Sequence, residues 1–163
     1  MEGQTIEELL YALNECFDGE GREGGIFLES DDAGLFFILD ALNAKEASSP
    51  IAGMSIANHV YHLLFALDVF IKRVNGNKSA LSVDWNASWR ERSLNEVEWG
   101  RMKKELADLR AESVSAARNL NAYKNDYGKQ LRFVVGLLTH TVFHLGIIRV
   151  KFDELKIRIQ QAL

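Results

Sequence analysis

Apolar residues recur along this chain at three- and four-residue intervals, in four long segments. No stretch shows sustained period-two alternation bounded by turn residues, so the expected fold class is all-α with little or no sheet. The first segment opens at Thr5, where Thr5-Ile6-Glu7-Glu8 fits a capping box, and runs to about Phe17. A shorter helix is expected over Asp32–Asn43, with Leu35, Phe36, Leu39 and Leu42 at helical spacing. The acidic residues Glu29, Asp31 and Asp32 would cap its start. The second long helix runs from Ser55 to Val74 and stops at Asn75-Gly76-Asn77. The third starts at Ser93-Leu94-Asn95-Glu96, another capping-box pattern, and runs to about Ala122. The fourth covers Lys129 to about Gln160. Four amphipathic helices of this length pack as a bundle, with residues 18–54 and 75–92 as its longer connections.

The fourth helix is apolar around much of its circumference. One stripe holds Phe133, Leu137, His140, His144 and Ile147; another holds Val134, Leu138, Val142, Leu145, Ile148 and Phe152. Such a helix needs cover on both sides, from its own bundle or from a second copy of the chain. A homodimer is therefore one expectation.

Composition narrows the setting. The 163 residues suit one domain spanning 1–163, with 47% hydrophobic and 26% charged residues in the balance of a globular protein. A net charge of −4 argues against nucleic acid as a partner, because phosphate-binding surfaces carry a basic excess. Cys16 is the only cysteine, which excludes intrachain disulfides and Cys-rich metal sites. The N-terminus is acidic early and lacks the layout of a signal peptide. The longest uninterrupted apolar runs, such as Leu63–Leu67 and Phe133–Leu138, are too short for a bilayer. These points give a cytoplasmic protein with no membrane partner as the expectation.

The candidate chemistry lies in the four histidines, which fall in two pairs. His59 and His62 stand at i, i+3 on the second helix; His140 and His144 stand at i, i+4 on the fourth. Both spacings put two rings on one helix face. Their surroundings are apolar, so the rings should point inward. Burying several imidazoles is costly unless their nitrogens find partners, and a divalent cation satisfies several at once. The plainer reading is that each ring is hydrogen-bonded in the core. Gly136 lies one turn before His140, where a missing side chain would leave room, and Gly146 would allow close helix packing. Both read equally well as packing glycines.

Here the residues meet a known family. The segment Thr139-His140-Thr141-Val142-Phe143-His144-Leu145-Gly146-Ile147-Ile148-Arg149 resembles the H-x-x-x-H-x-G signature of the DinB/YfiT-like metalloenzyme superfamily. Ser55-Ile56-Ala57-Asn58-His59-Val60-Tyr61-His62-Leu63 is similar to its second-helix histidine motif. Asp84-Trp85 with Ser88-Trp89 looks like the linker of one subgroup. The similarity covers about residues 30 to 150. It implies a four-helix bundle with non-sequential helix order, often dimeric, holding zinc, nickel or a similar ion on three histidines. Carried over by position, the ligands are His62, His140 and His144. His59 is additional: a fourth ligand, a proton-transfer group or a partner standing behind a ligand. Members with known activity include transferases and isomerases that use low-molecular-weight thiols, although no thiol-binding motif is visible here.

Three histidines leave a coordination position open, the arrangement of a catalytic rather than a structural ion. Expected neighbours of such a site are His59, Tyr61, Asp68 and Thr141, with Asp68 more plausibly ion-paired in solvent. Trp85 and Trp89 would line a pocket mouth or pin the linker to the bundle. Arg149 would hold an anionic substrate group or a surface ion pair. The leading expectation is a metal-dependent hydrolase or thiol-dependent transferase acting on a small molecule. The rivals are a non-enzymatic, metal-binding or stress-related dimeric bundle, and a scaffold whose histidines are hydrogen-bonded in the core.

Overall fold

The computed structural model describes residues 2–19, 25, 26, 28, 29, 33–90, 93–124 and 127–161. All regular elements among them are helical. They are α1 (Glu2–Asp18), α2 (Leu35–Asp40), α3 (Ala44–Ser48), α4 (Ile56–Val74), α5 (Glu96–Lys124) and α6 (Tyr127–Gln161), with short 3-10 turns at Lys78–Leu81 and Trp85–Trp89 between α4 and α5. The long helices α1, α4, α5 and α6 share one core. Helix α6 packs against the other three, and α4 packs against both α5 and α6. Across the remaining side, Arg118 of α5 binds the Glu7 carboxylate of α1 through Nε and Nη2, at 3.0 and 2.8 Å.

Helix ends follow local chemistry, and here several expectations shift. Helix α1 starts one turn before Thr5, so Thr5 and Glu8 lie inside it rather than at its cap. It ends at Gly19, whose φ of +87° suits glycine and whose N–H reaches the Glu15 carbonyl at 2.9 Å. Of the helix expected over 32–43, Leu35–Asp40 is helical, and a further helix that was not expected, α3, follows it. Asn43 renews the fold: its side chain accepts from Glu46 N while Glu46 returns a bond to Asn43 N, a complete capping box. Helix α2 is capped by Gly34 without a side-chain bond, and its first turn holds no acid. Asp31 and Asp32 lie outside the described residues.

Helix α5 begins at Glu96, not Ser93. Asn95 and Glu98 form the reciprocal bonds, at 3.0 and 2.9 Å. The Ser93 pattern loses because its members are engaged elsewhere: Leu94 N donates to Ser48 Oγ at 3.0 Å, and Glu96 Oε1 accepts from Ala44 N at 2.9 Å. Both bonds tie the start of α5 to α3. Trp99, almost fully buried one turn into α5, adds an Nε1–H bond to the Leu42 carbonyl at 2.9 Å.

Helix α6 starts at Tyr127 and runs without a break to Gln161. Its uninterrupted apolar runs are short, yet one 18-residue window has a mean hydropathy of 1.6, so by length and composition α6 is able to cross a bilayer. The expectation from run length alone does not hold for the helix as a whole. A third of that window is buried against the other helices. On another face Val142, Phe143 and Val150 are exposed, Phe143 at 61% and Val150 at 71%.

Candidate metal centre

Two helices and one turn build the site. Helix α4 starts with a capping box in which Ser55 Oγ accepts from Asn58 N at 3.2 Å. That start places His59 and His62 on the inward face, 7% and 6% exposed. Helix α6 packs against α4 and brings in His144, 1% exposed, and the half-buried His140. The result joins histidines about eighty residues apart in sequence.

His62, His140 and His144 each offer a ring nitrogen, and those three atoms lie within 4.8 Å of one another. Their ring centroids are 4.7 to 5.3 Å apart. His59 stands outside this trio. Its Nδ1 lies 3.2 Å from His144 Nδ1, so one of the two nitrogens donates and the other accepts. His62 Nδ1 is bonded to Ser88 Oγ at 2.7 Å. His140 Nε2 is buried and has no hydrogen-bond partner. An orphaned ring nitrogen beside two others is what a cation would satisfy. A zinc–nitrogen distance of about 2.1 Å sets tetrahedral ligand nitrogens roughly 3.4 Å apart.

Aromatic side chains enclose the trio. Trp89 stacks on His62, with centroids 3.9 Å apart and planes 18° from parallel. Its edge also meets His59 at 5.3 Å. Trp85 lies 6.1 Å from His62, with the Arg73 guanidinium over its own ring. Phe70 meets His140 edge-on at 5.7 Å, and Phe143 meets His144 at 5.1 Å. The two tryptophans pack the linker against α4, the second of the two roles expected of them. Asn58 completes the attachment by donating Nδ2–H to the Arg90 carbonyl at 2.6 Å.

This enclosure strongly favours neutral imidazoles. Burial lowers the pKa of all four rings. His59 falls to about 4, by burial and then by the positive charge of Lys151. His62 falls to about 4 and His144 to about 3, by burial and then by the charge that neighbouring histidines would carry. Burial alone lowers His140. All four are therefore unprotonated at neutral pH, the state a metal ligand requires.

The other candidates are placed less centrally. Asp68 forms an i, i+4 ion pair with Lys72 at 2.5 Å. Thr141 is buried and donates to the Leu137 carbonyl at 2.8 Å, within its own helix. Tyr61 and Arg149 are half-buried and engaged within the protein. A side chain added at Gly136 or Gly146 would meet nothing within 4 Å, so neither glycine makes room for the site or for a packed helix. Ser88 and Phe70 were not anticipated as neighbours. The Ser88-Trp89 pair did appear in the linker pattern, but nothing in the local sequence aims its hydroxyl at His62.

No family model matches this chain, and no curated protein or solved structure matches it either. What the site can do follows from its own geometry. Three neutral nitrogen donors converge, and no carboxylate belongs to the cluster among the described residues. A divalent ion held there would keep its full charge, with no ligand carboxylate among the described residues to offset it.

Proposed function

We propose that this protein is a metal-dependent enzyme, a hydrolase or thiol-dependent transferase, built as a four-helix bundle of the DinB/YfiT-like type. The single observation that carries this reading is the convergence of His62, His140 and His144, with His140 Nε2 buried and unpartnered. Zinc or nickel suits an all-imidazole donor set. A bound ion would supply Lewis acidity, lowering the pKa of a water or thiol at the open position. The residues themselves do the rest. His62, His140 and His144 stay neutral and present lone pairs; Trp85, Trp89 and Phe70 exclude bulk water; the lack of a carboxylate ligand favours an anionic substrate atom such as a thiolate. A cytoplasmic setting agrees with the single, buried Cys16, whose thiol burial pushes up to about 12.

Elemental analysis of the purified protein tests this directly. About one zinc or nickel per chain is expected after incubation with metal and removal of excess. A variant carrying His62→Ala, His140→Ala and His144→Ala is expected to hold none. A parent that stays empty removes the basis of the proposal.

The proposal extends to a homodimer through α6. The exposed Val142, Phe143 and Val150 line a groove of about 720 Å³ together with Ile51 and Ile147. A second copy would cover it. Light scattering is expected to give twice the chain mass for the parent and the chain mass for Phe143→Glu/Val150→Glu. A monomeric parent at tens of micromolar would refute this part alone.

A further inference from the structure

The hydrogen bonds behind the histidines determine which nitrogen each ring presents. Ser88 is completely buried in the 3-10 turn Trp85–Trp89. Its Oγ lies 2.6 Å from the Trp85 carbonyl and 2.7 Å from His62 Nδ1. A carbonyl oxygen only accepts, and two oxygens 2.6 Å apart repel unless a proton lies between them. The single hydroxyl proton therefore goes to Trp85. What faces His62 is a lone pair of Ser88, so Nδ1 of His62 carries the ring proton. A neutral imidazole has one such proton, and Nε2 is left as a free lone pair.

At His144 the choice is between two rings. Its Nδ1 meets His59 Nδ1 at 3.2 Å, and either nitrogen can be the donor. If His144 Nδ1 donates, His59 accepts at Nδ1 and keeps its own proton on Nε2. His140 Nε2 already has no partner. His62 and His144 would then both offer Nε2, the atom that stands unpartnered in His140.

We infer that Ser88 is a positioning residue that fixes His62 as the Nδ1–H tautomer and turns its Nε2 toward the trio, and that His59 does the same for His144. This rests on the proposed metal site for its purpose, but not for its geometry. The turn is braced to hold the serine in place. Asp84 caps it, accepting from Asn86 N at 3.0 Å, and Asn58 ties down Arg90 at its far end. Trp89 fixes the plane of the His62 ring by stacking while Ser88 fixes its protonation. Without the serine, both tautomers of His62 are open, and the Nε2–H form cannot ligate through Nε2. Such partners behind a metal ligand typically control about 10- to 100-fold in affinity.

The experiment uses full-length protein with 15N-labelled histidine. Long-range 1H–15N spectra of the metal-free parent at pH 7.5 are expected to show His62 and His144 protonated at Nδ1 and His59 protonated at Nε2. In Ser88→Ala, His62 should shift toward the Nε2–H form while His144 stays unchanged. Zinc titration against a competing chelator should then show 10- to 100-fold weaker binding for Ser88→Ala, with circular dichroism confirming an intact fold. A parent with His62 protonated at Nε2 overturns the inference. So does a Ser88→Ala protein that keeps the parent's tautomer and zinc affinity. A parent that binds no zinc overturns the proposed function instead, and the metal-free spectra still decide the tautomer.

Discussion

Lowering the pH of the metal-free protein from 7 to 5 is expected to remove on the order of 5 kcal/mol of folding stability, before most carboxylates titrate. The sign follows from the buried rings. In the unfolded chain a histidine has a pKa near 6.5. In the fold, burial holds His59 and His62 at about 4 and His144 at about 3. Between those values the unfolded chain binds protons that the native protein refuses. Stability therefore rises with pH across this window, and falls as pH drops from about 6.5 toward 4. One such ring contributes roughly 2 kcal/mol of loss by pH 5, and three act together. A domain of ordinary stability has about 5–15 kcal/mol in total, so the effect is large enough to unfold it. Urea denaturation at pH 7, 6 and 5 measures the effect. The midpoint should fall steeply with an unchanged slope, and a variant with His144→Gln should fall less steeply. A midpoint that stays level between pH 6.5 and 5 would show that the rings are not buried as neutral groups.

What the sequence made legible were features set by local spacing. The three- and four-residue period found the long helices, because an amphipathic helix repeats its core face every 3.6 residues. The histidine pairs were visible for the same reason: i, i+3 and i, i+4 place rings on one face. The start of α5 shows where this stops. Ser93…Glu96 and Asn95…Glu98 both carry capping-box spacing, and the choice between them depends on Ser48 and Ala44, which are about fifty residues away in sequence. Helix α3 was missed because its five residues are too few to show a periodic apolar face, and the capping bonds between Asn43 and Glu46 that start it were not read from the sequence. Ser88 is the clearest case. A serine between two tryptophans reads as an ordinary turn residue, and only tertiary packing of the turn on α4 brings its oxygen to His62. The trio itself was only half legible. Spacing nominated four rings, family resemblance chose three, and the packing of α6 against α4 brings those three together with His59 behind them.

The same buried rings shape how metal should act on the fold. A ligand that binds only the native state stabilises it by RT ln(1 + [L]/Kd), which is about 4.1 kcal/mol at a thousandfold excess over Kd. Zinc at that ratio is therefore expected to raise the unfolding free energy by about 4 kcal/mol at pH 7. The pH dependence of that increment is the informative part. Metal binding to histidine normally competes with protons, so a site of three ordinary histidines weakens steeply below pH 6.5. Here His62 and His144 stay neutral down to about pH 4 and burial lowers His140 as well, so between pH 7 and 5 zinc displaces fewer protons from the native protein than it would from exposed histidines. The increment at pH 5.5 should thus fall much less from its pH 7 value than a site of three ordinary histidines would show, even though both the metal-free and the metal-loaded proteins are less stable there. Paired denaturation curves at the two pH values, with free zinc buffered at the same concentration, measure it. An increment that shrinks as steeply as at a site of ordinary histidines would mean that the folded rings take up protons like exposed ones, and would undo the acid-stability prediction with it. An increment of zero at both values, with His62→Ala indistinguishable from the parent, would show that no ion joins the two helices.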